Sequence, residues 1–316
     1  MGEASNLVTF GESMGLFIAS RPGRFGVDRS FGFSVGGAES NVAIGAARLG
    51  AAVTWFGRVG TDATGDFIER LIAAEGIRTL AIHDPGFTGL MIKHERVADH
   101  AHVDYHRTGS AGSRLTPGDI PVKAVRSAGL LHITGITPAL SPSARATVFE
   151  AVEIAKDADV SVSFDVNYRR QLWTPDEASP VLKDLVDRCD IVFAGCEEAD
   201  LVTDHSSTGA ADAAAQLSSL GVREVVIKDG ARGCCALVDG TVHRLPALPV
   251  RVVDPVGAGD AFVAGYLADR LAGAEVGRRL TTAILAGSFA VSVPGDCENL
   301  PSRADLERVG GPDTTR

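Results

Sequence analysis

The chain has 316 residues and a formal net charge of −10, from 30 lysines and arginines against 40 aspartates and glutamates. Its 45% of apolar residues and 22% of charged residues are typical of a globular protein and exclude a disordered chain. The acidic balance argues against a nucleic-acid partner, because such proteins need a basic face. No linker or repeat divides the chain, so we expect one domain over residues 1–316.

Location is predicted from cysteines and apolar runs. Five cysteines, an odd number without C-x-x-C spacing, favour reduced thiols. Residues 1–6 carry no basic residue and do not resemble a secretory signal. The longest apolar stretch, 283–293, is too short to span a bilayer. We therefore expect a soluble cytoplasmic protein with no membrane partner.

Apolar runs typical of strands alternate along the chain with segments at helical spacing. The predicted strands are 7–10, 53–56, 130–133, 160–166, 191–194 and 224–228. The predicted helices are 40–49, 67–72, 148–154, 181–186, 210–220, 260–271 and 279–293. This alternation predicts the α/β class, with a doubly wound, mostly parallel sheet flanked by helices.

Two segments depart from the alternation. Residues 16–34 are rich in Gly and Phe and favour short exposed strands, and residues 88–107 alternate polar and apolar side chains, which predicts an antiparallel hairpin. The hairpin carries several histidines. His100, His102 and His106 share one face of a strand, so they are either metal ligands or, as is more common, solvated or substrate-contacting side chains.

The strongest local signal is the segment 254–260, Asp-Pro-Val-Gly-Ala-Gly-Asp, which leads directly into a helix. Gly257, Ala258 and Gly259 leave the backbone bare, so several N–H groups point to one place at the positive end of the helix dipole. Such a turn binds phosphate or the charge that develops on it. Asp260 repels phosphate but is well placed to take a proton from an attacking hydroxyl; alternatively, it only caps the helix.

Two other motif matches are weak. The segment 257–259 fails as a dinucleotide fingerprint because Phe262 occupies the position of the last glycine. The segment 11–15 matches the G-x-S-x-G elbow of serine hydrolases, but that elbow needs a helix directly after it, and residues 16–22 do not favour one.

Two separate signatures resemble those of the ribokinase-like (PfkB) sugar kinases. The first comprises residues 36–43, 48–50, 57–62 and Gly65, and the second is 254–260. Residues 36–41, 105–113, 134–141, 165–169 and 295–301 further resemble the members that phosphorylate 2-keto-3-deoxygluconate, a sugar acid. The resemblance implies a ribokinase-like fold with a small β lid at about 15–35 and 87–109, which closes over the sugar.

The resemblance also implies roles for individual residues. The sugar acid would be bound by Gly36, Gly37, Asn41, Tyr105, Arg107, Arg169, Asp260 and Asp296. Arg107 and Arg169 suit a carboxylate because the guanidinium fork binds both of its oxygens. ATP would contact Asn167, Arg169, Lys228, Gly230, Gly233, Gly257 and Gly259. Glu198 is the metal-side acid for Mg²⁺, and Gly195 stands where relatives often have Asn.

The implied reaction is transfer of the ATP γ-phosphoryl group to a primary hydroxyl, with Asp260 as base and the 257–260 amides stabilising the transferring group. Alternatives are another sugar kinase of the family, such as a fructokinase or a 5-keto-2-deoxygluconate kinase, and a non-catalytic sugar-acid-binding regulator. The resemblance further implies a homo-oligomer that forms through lid strands.

Overall fold

The structure is a computed structural model that describes residues 6–21, 23, 30–95, 101–292 and 295–310. Its strands are β1 (Leu7–Phe10), β2 (Met14–Ala19), β3 (Phe31–Gly36), β4 (Val53–Gly60), β5 (Arg78–Asp84), β6 (Leu90–Glu95), β7 (Ala101–His106), β8 (Leu130–Thr134), β9 (Ser161–Asp165), β10 (Ile191–Ala194), β11 (Glu224–Lys228), β12 (Cys234–Val238) and β13 (Thr241–Leu245). Its helices are α1 (Ala38–Arg48), α2 (Ala63–Ala74), α3 (Val122–Arg126), α4 (Thr137–Leu140), α5 (Pro142–Lys156), α6 (Pro175–Val186), α7 (Cys196–Thr203), α8 (Ala210–Ser218), α9 (Ala258–Leu271), α10 (Val276–Ala290) and α11 (Arg303–Gly310).

The large sheet has the strand order β13-β12-β11-β10-β9-β8-β1-β4-β5. The strands from β11 to β5 are parallel to their neighbours, and β12 and β13 add an antiparallel edge. From β1 the chain builds first toward β5 and later, through β8, in the opposite direction. The order therefore reverses between β1 and β8, and ligands of such sheets bind outside the strand ends at this point.

Helices cover both faces of this sheet, which is why its central strands are buried and rich in apolar residues. All four residues of β10 are buried. Val192 packs into the cluster beneath α5 and α6, whereas Phe193 faces the other way and meets Tyr266 of α9 edge-on at 5.3 Å. The predicted doubly wound α/β fold is confirmed.

The second sheet, which we call the lid sheet, has the order β3-β2-β6-β7. Strands β6 and β7 form the predicted antiparallel hairpin, with Met91 opposite Tyr105, and β2 lies parallel to β6. The lid strands fall within or close to the predicted lid segments. That the two sheets fold as one domain stays a prediction. Within the described ranges, no helix combines the length and apolar character needed to cross a bilayer.

Candidate active site

A cavity of about 690 Å³ opens at the carboxyl ends of the parallel strands, beneath the lid sheet. Lid residues such as Tyr105 and Arg107 line one side, and Asn167 and Lys228, which follow or end strands of the large sheet, line the other. The N-cap of α9 and its first turn supply Gly257, Gly259 and Asp260. The cavity thus lies where the strand order predicts a ligand, and it contains most of the residues predicted from the sequence.

The turn before α9 has the form expected of an anion site. Gly257 is the N-cap of α9 and has a left-handed backbone with φ 78°, and a Cβ there would lie 2.7 Å from the carbonyl oxygen of Asp296. Glycine is therefore required by both conformation and space. Ala258 is the first helical residue, so the first N–H groups of α9 have no acceptor within the helix. A Cβ on Gly259 would lie 3.6 Å from Lys228 Nζ, which places that ammonium beside the turn.

Asp260 is the third residue of α9, and the N-cap of this helix is Gly257. Its carboxylate accepts hydrogen bonds from Asn41 Nδ2 at 2.8 Å and Asn167 Nδ2 at 3.4 Å. The capping interpretation is therefore wrong. Burial raises the pKa of Asp260, while the Asn41 hydrogen bond and the charge of Arg169 oppose that rise. A carboxylate held in this way has the basicity that proton abstraction requires.

Asn41 joins Asp260 to a second buried acid. Its Nδ2 also donates to Asp296 Oδ1 at 2.7 Å. Burial and then the charge of Asp260 raise the pKa of Asp296 to about 7. In the described part of the chain, Asn41 Oδ1 and Asn167 Oδ1 are buried without a hydrogen-bond partner. Buried acceptors of this kind need a donor, which the hydroxyls of a sugar would supply.

The two predicted substrate glycines have different positions. Gly37 lines the cavity as the N-cap of α1, and a Cβ there would lie 2.5 Å from the carbonyl oxygen of Glu12. Gly36 ends β3 and is not among the lining residues; its missing side chain leaves room for Met91 and Asp296, which are themselves in the lining. Gly36 therefore leaves space for two residues that line the cavity but does not line it itself.

The two predicted arginines differ as well. Arg169 is exposed and donates to the carbonyl of Tyr168 at 3.2 Å. Arg107 lies 5.6 Å from the ring centre of Tyr105, and its Nε donates to Glu12 Oε2 at 2.7 Å. Glu12, which sequence reasoning missed, is a buried acid directly after β1. Strand β2 begins at Met14 where the hydrolase elbow needs a helix, so that weak motif is excluded.

On the opposite side, Lys228 Nζ donates to both oxygens of Asp165, at 2.7 and 2.8 Å. Burial raises the pKa of Asp165 to about 6, although Lys228 acts to lower it. Gly230 and Gly233 lie in the following turn with φ values of 55° and 101° and do not line the cavity. The structure therefore brings Lys228 to the segment 254–259, which we call the anion turn, but leaves the two glycines outside the cavity.

Glu198 lines the cavity near Lys228. Its Oε1 accepts from the amide of Tyr168 at 2.9 Å, and its Oε2 accepts from the amide of Gly195 at 2.7 Å. Each oxygen keeps a further lone pair, and carboxylate oxygens are ligands that Mg²⁺ or its bound waters accept. The two oxygens of Glu198 therefore fit a magnesium ion or its bound waters, whereas both oxygens of Asp165 are already taken by Lys228.

The histidines of the lid do not group as the shared-face hypothesis expected. His100 lies outside the described residues. Among the residues described, His94, His102 and Asp104 have their ligand atoms within 4.8 Å of one another. Asp104 contacts His94 Nε2 at 3.2 Å and His102 Nε2 at 3.1 Å, so it takes the place that His106 was expected to fill.

An anion-binding helix start, a buried carboxylate beside it and a lidded cavity together define a phosphotransferase site. Residues 4–303 match the pfkB family carbohydrate kinase description, so the chain belongs to this family. It is an enzyme that transfers a phosphoryl group from ATP to an alcohol group of a carbohydrate.

Named relatives cover almost the whole chain. A 2-dehydro-3-deoxygluconokinase of Bacillus subtilis is 36% identical over 95% of this chain and 93% of its own. A 2-dehydro-3-deoxygalactonokinase of Haloferax volcanii is 30% identical, with 96% of each chain covered. Among solved structures, the 2-dehydro-3-deoxygluconokinase of Thermotoga maritima has a TM-score of 0.90 at 26% identity, covering 96% of this chain and 99% of its own. A ribokinase-like protein of E. coli in complex with ATP and Mg²⁺ has a TM-score of 0.88 at 25% identity, covering 96% and 98%.

Proposed function

We propose that this enzyme phosphorylates the primary hydroxyl of 2-keto-3-deoxy-D-gluconate, also called 2-dehydro-3-deoxygluconate, to give the 6-phosphate. The observation that carries this proposal is the position of Asp260. Its buried carboxylate lies on the first turn of α9, beside the anion turn and within the same cavity as Arg107 and Arg169. The Bacillus subtilis relative at 36% identity supports the choice of sugar.

The reaction follows from this arrangement. Asp260 takes the proton of the sugar hydroxyl, and the oxygen attacks the γ-phosphorus of ATP in line with the leaving oxygen. The N–H groups of residues 257–260 and the ammonium of Lys228 stabilise charge on the transferring group. Asn41 and Asn167 hold the Asp260 carboxylate in position through their hydrogen bonds.

A sugar acid explains two arginines at one cavity. We propose that Arg169 forms the open half of the carboxylate clamp, because its guanidinium is exposed. Arg107 would contribute its remaining N–H groups while Glu12 holds it in place. Tyr105 would pack on the sugar from the lid. A neutral ketohexose offers no anion to either guanidinium.

ATP is proposed to lie along Lys228, Asn167 and the turn 257–259, with Gly230 and Gly233 shaping the outer end of its groove. When bound, Mg²⁺ would neutralise charge on the ATP phosphates, and Glu198 would hold it or its waters. The alternative of a non-catalytic sugar-acid-binding regulator predicts that the base or the anion turn is lost. The chain has both the base and the turn.

The test is a coupled assay of ADP formation with ATP and a panel of acceptors: 2-keto-3-deoxygluconate, its galactonate epimer, 5-keto-2-deoxygluconate and fructose. We expect the highest kcat/KM for the first. A higher value for fructose would refute the proposal. The galactonate epimer is included because the Haloferax volcanii relative carries its name.

Assembly and location complete the proposal. Strands β3 and β7 are the edges of the lid sheet, and Phe33 and Tyr105 on them are 40% and 39% exposed. Such edges pair readily, so we propose a homo-oligomer joined through lid strands, testable by light scattering on Phe33→Ser.

We also propose a cytoplasmic location, because all five cysteines are free thiols.

A further inference from the structure

One buried lysine of the lid sheet contacts the anion turn. Lys93, on β6, has a side chain that is only 4% exposed and lies within the cavity lining. Its ammonium forms an ion pair with Asp254, whose side chain is 2% exposed, and donates to the carbonyl oxygen of Gly295 at 3.3 Å. No role was predicted for Lys93 from the sequence, and the mechanism above does not use it.

Asp254 is the first residue of the anion turn and links two segments of the site. Its Oδ1 accepts from the amide of Val256 at 3.1 Å, within the turn. Its Oδ2 accepts from the amide of Gly295 at 3.2 Å, directly before Asp296. The ammonium of Lys93 therefore contacts both the turn that holds phosphate and the segment that carries the second buried acid.

A buried ion pair is an expensive way to stabilise a fold. Apolar residues of similar volume are often as stable or more so, because both charges must leave water. The long lysine side chain also loses much of its rotamer freedom. In contrast, the carboxylate and the carbonyl oxygen hold the ammonium at one fixed place. They are the oxygen ligands that a small monovalent cation would take.

We propose that Lys93 is a positioning residue whose ammonium is a tethered cation, carried by the lid and required to give the anion turn its active geometry. Because Lys93 lies on β6, it couples the lid to residues 254–257. Its ion-pair partner Asp254 lies 161 positions further along the chain. The proposal rests on the kinase function but not on which sugar is used.

Removing the side chain of Lys93 leaves the buried carboxylate of Asp254 facing the space that the lysine ammonium occupied, so free ammonium or potassium ions should enter it. Wild-type enzyme should show no such response, because its own ammonium fills the site.

The experiment compares wild type, Lys93→Ala and Lys93→Met in ammonium, potassium and tetramethylammonium chloride at equal ionic strength. We expect Lys93→Ala to lose ~10²-fold in kcat, because a small misplacement of reacting groups costs that much. Ammonium or potassium should restore at least ~10-fold of it and should raise the melting temperature by mass action. Tetramethylammonium, which is too large, should do neither, and Lys93→Met, which fills the space, should not respond.

Arg303→Met is the matched control. Arg303 also forms an ion pair with a buried carboxylate, Asp269, which is 2% exposed and outside the cavity lining. Its loss should lower stability without any cation-dependent change in kcat. A similar cation response in both variants would refute the proposal, as would a Lys93→Ala enzyme that keeps its rate or stays inactive in every salt.

Two further measurements keep the test independent of folding and of the sugar. The double variant Lys93→Met, Asp254→Asn carries no charge at this position and is expected to fold; wild-type kcat in it would refute the proposal. The melting-temperature response of Lys93→Ala needs no substrate. If the sugar assignment fails in wild type, that response still decides whether the tethered-cation site exists, and its absence in a folded variant overturns the proposal.

Discussion

Replacing Asp296 by Asn should move the acidic limb of the pH–rate profile to lower pH. Asp296 and Asp260 both accept from Asn41 Nδ2, at 2.7 and 2.8 Å, which places the two accepting oxygens within about 5.5 Å of each other. Each negative charge therefore opposes ionisation of the other acid. Burial and the charge of Asp260 raise the pKa of Asp296 to about 7, and an ionised Asp296 in turn opposes ionisation of Asp260.

The size of the shift follows from the separation. At about 5.5 Å and an effective dielectric constant of about 20 to 40, two unit charges repel by about 1.5 to 3 kcal/mol. Since one pKa unit is about 1.4 kcal/mol, an ionised Asp296 raises the apparent pKa of the base by at most about one to two units, and Asp296→Asn removes that rise. The base must be ionised to accept a proton, so activity in Asp296→Asn should persist to lower pH.

The assay is kcat/KM for the sugar acid at saturating ATP, measured from pH 5 to pH 9. The plateau at high pH should fall as well, because Asp296 is a predicted substrate contact, but the plateau and the midpoint are read separately. Asp104→Asn is the control: Asp104 lines the cavity from the lid, but its carboxylate is 47% exposed and therefore screened. An unchanged or raised midpoint in Asp296→Asn would show that the two acids do not interact as described.

Three further outcomes are expected. Asp260→Asn should keep sugar binding, measured by calorimetry, and lose at least ~10²-fold in kcat, because only the proton acceptor is lost; retained turnover would remove Asp260 from its role. Arg169→Lys should raise KM for the sugar acid ~10-fold while leaving the acidic limb in place, whereas Arg169→Met should also raise its midpoint, because the arginine charge lowers the pKa of Asp260. Glu39→Gln should gain stability relative to wild type as pH rises: burial raises the pKa of Glu39 from 4.5 to about 7, so wild type loses about 3 kcal/mol of unfolding free energy across that interval. Urea unfolding at pH 5 and pH 8 would check this, with exposed Glu150→Gln as control; an unchanged difference would refute it.

The central strands could be predicted because they are buried on both faces and therefore rich in apolar residues. Strands β5 and β13 were missed, since they form the two edges of the sheet and mix polar with apolar residues; in β13, none of the five residues from Thr241 to Leu245 is buried. Strand β12, which is apolar, was missed as well. Helix α6 begins at Pro175 and not at the predicted residue 181. The prediction began too late because Pro180 interrupts the apolar spacing. The capping box of Thr174 and Glu177 was a readable signal for its true start.

The site divides in the same way. The anion turn and Asp260 are contiguous in sequence, so a local motif was sufficient to find them. Glu12 and Lys93 act through partners far along the chain, Arg107 and Asp254 respectively, and no local pattern reports such pairs. Glu12 had one available signal: it is an acid directly after the first strand, at the edge where parallel sheets bind ligands.

The pairing of the cavity's cations explains how an acidic protein can bind anions. Arg107 is held by Glu12, Lys228 by Asp165 and Lys93 by Asp254, so these three positive charges are oriented before a ligand arrives, whereas Arg169 is exposed. Such pairs add little net charge to attract ATP from a distance, and the overall field of a chain with net charge −10 opposes it. Recognition must therefore come from short-range hydrogen bonds to prepositioned donors, which salt screens weakly. The arrangement gives up rapid electrostatic capture and gains a fixed geometry at the moment of phosphoryl transfer, when the donors must already be in place.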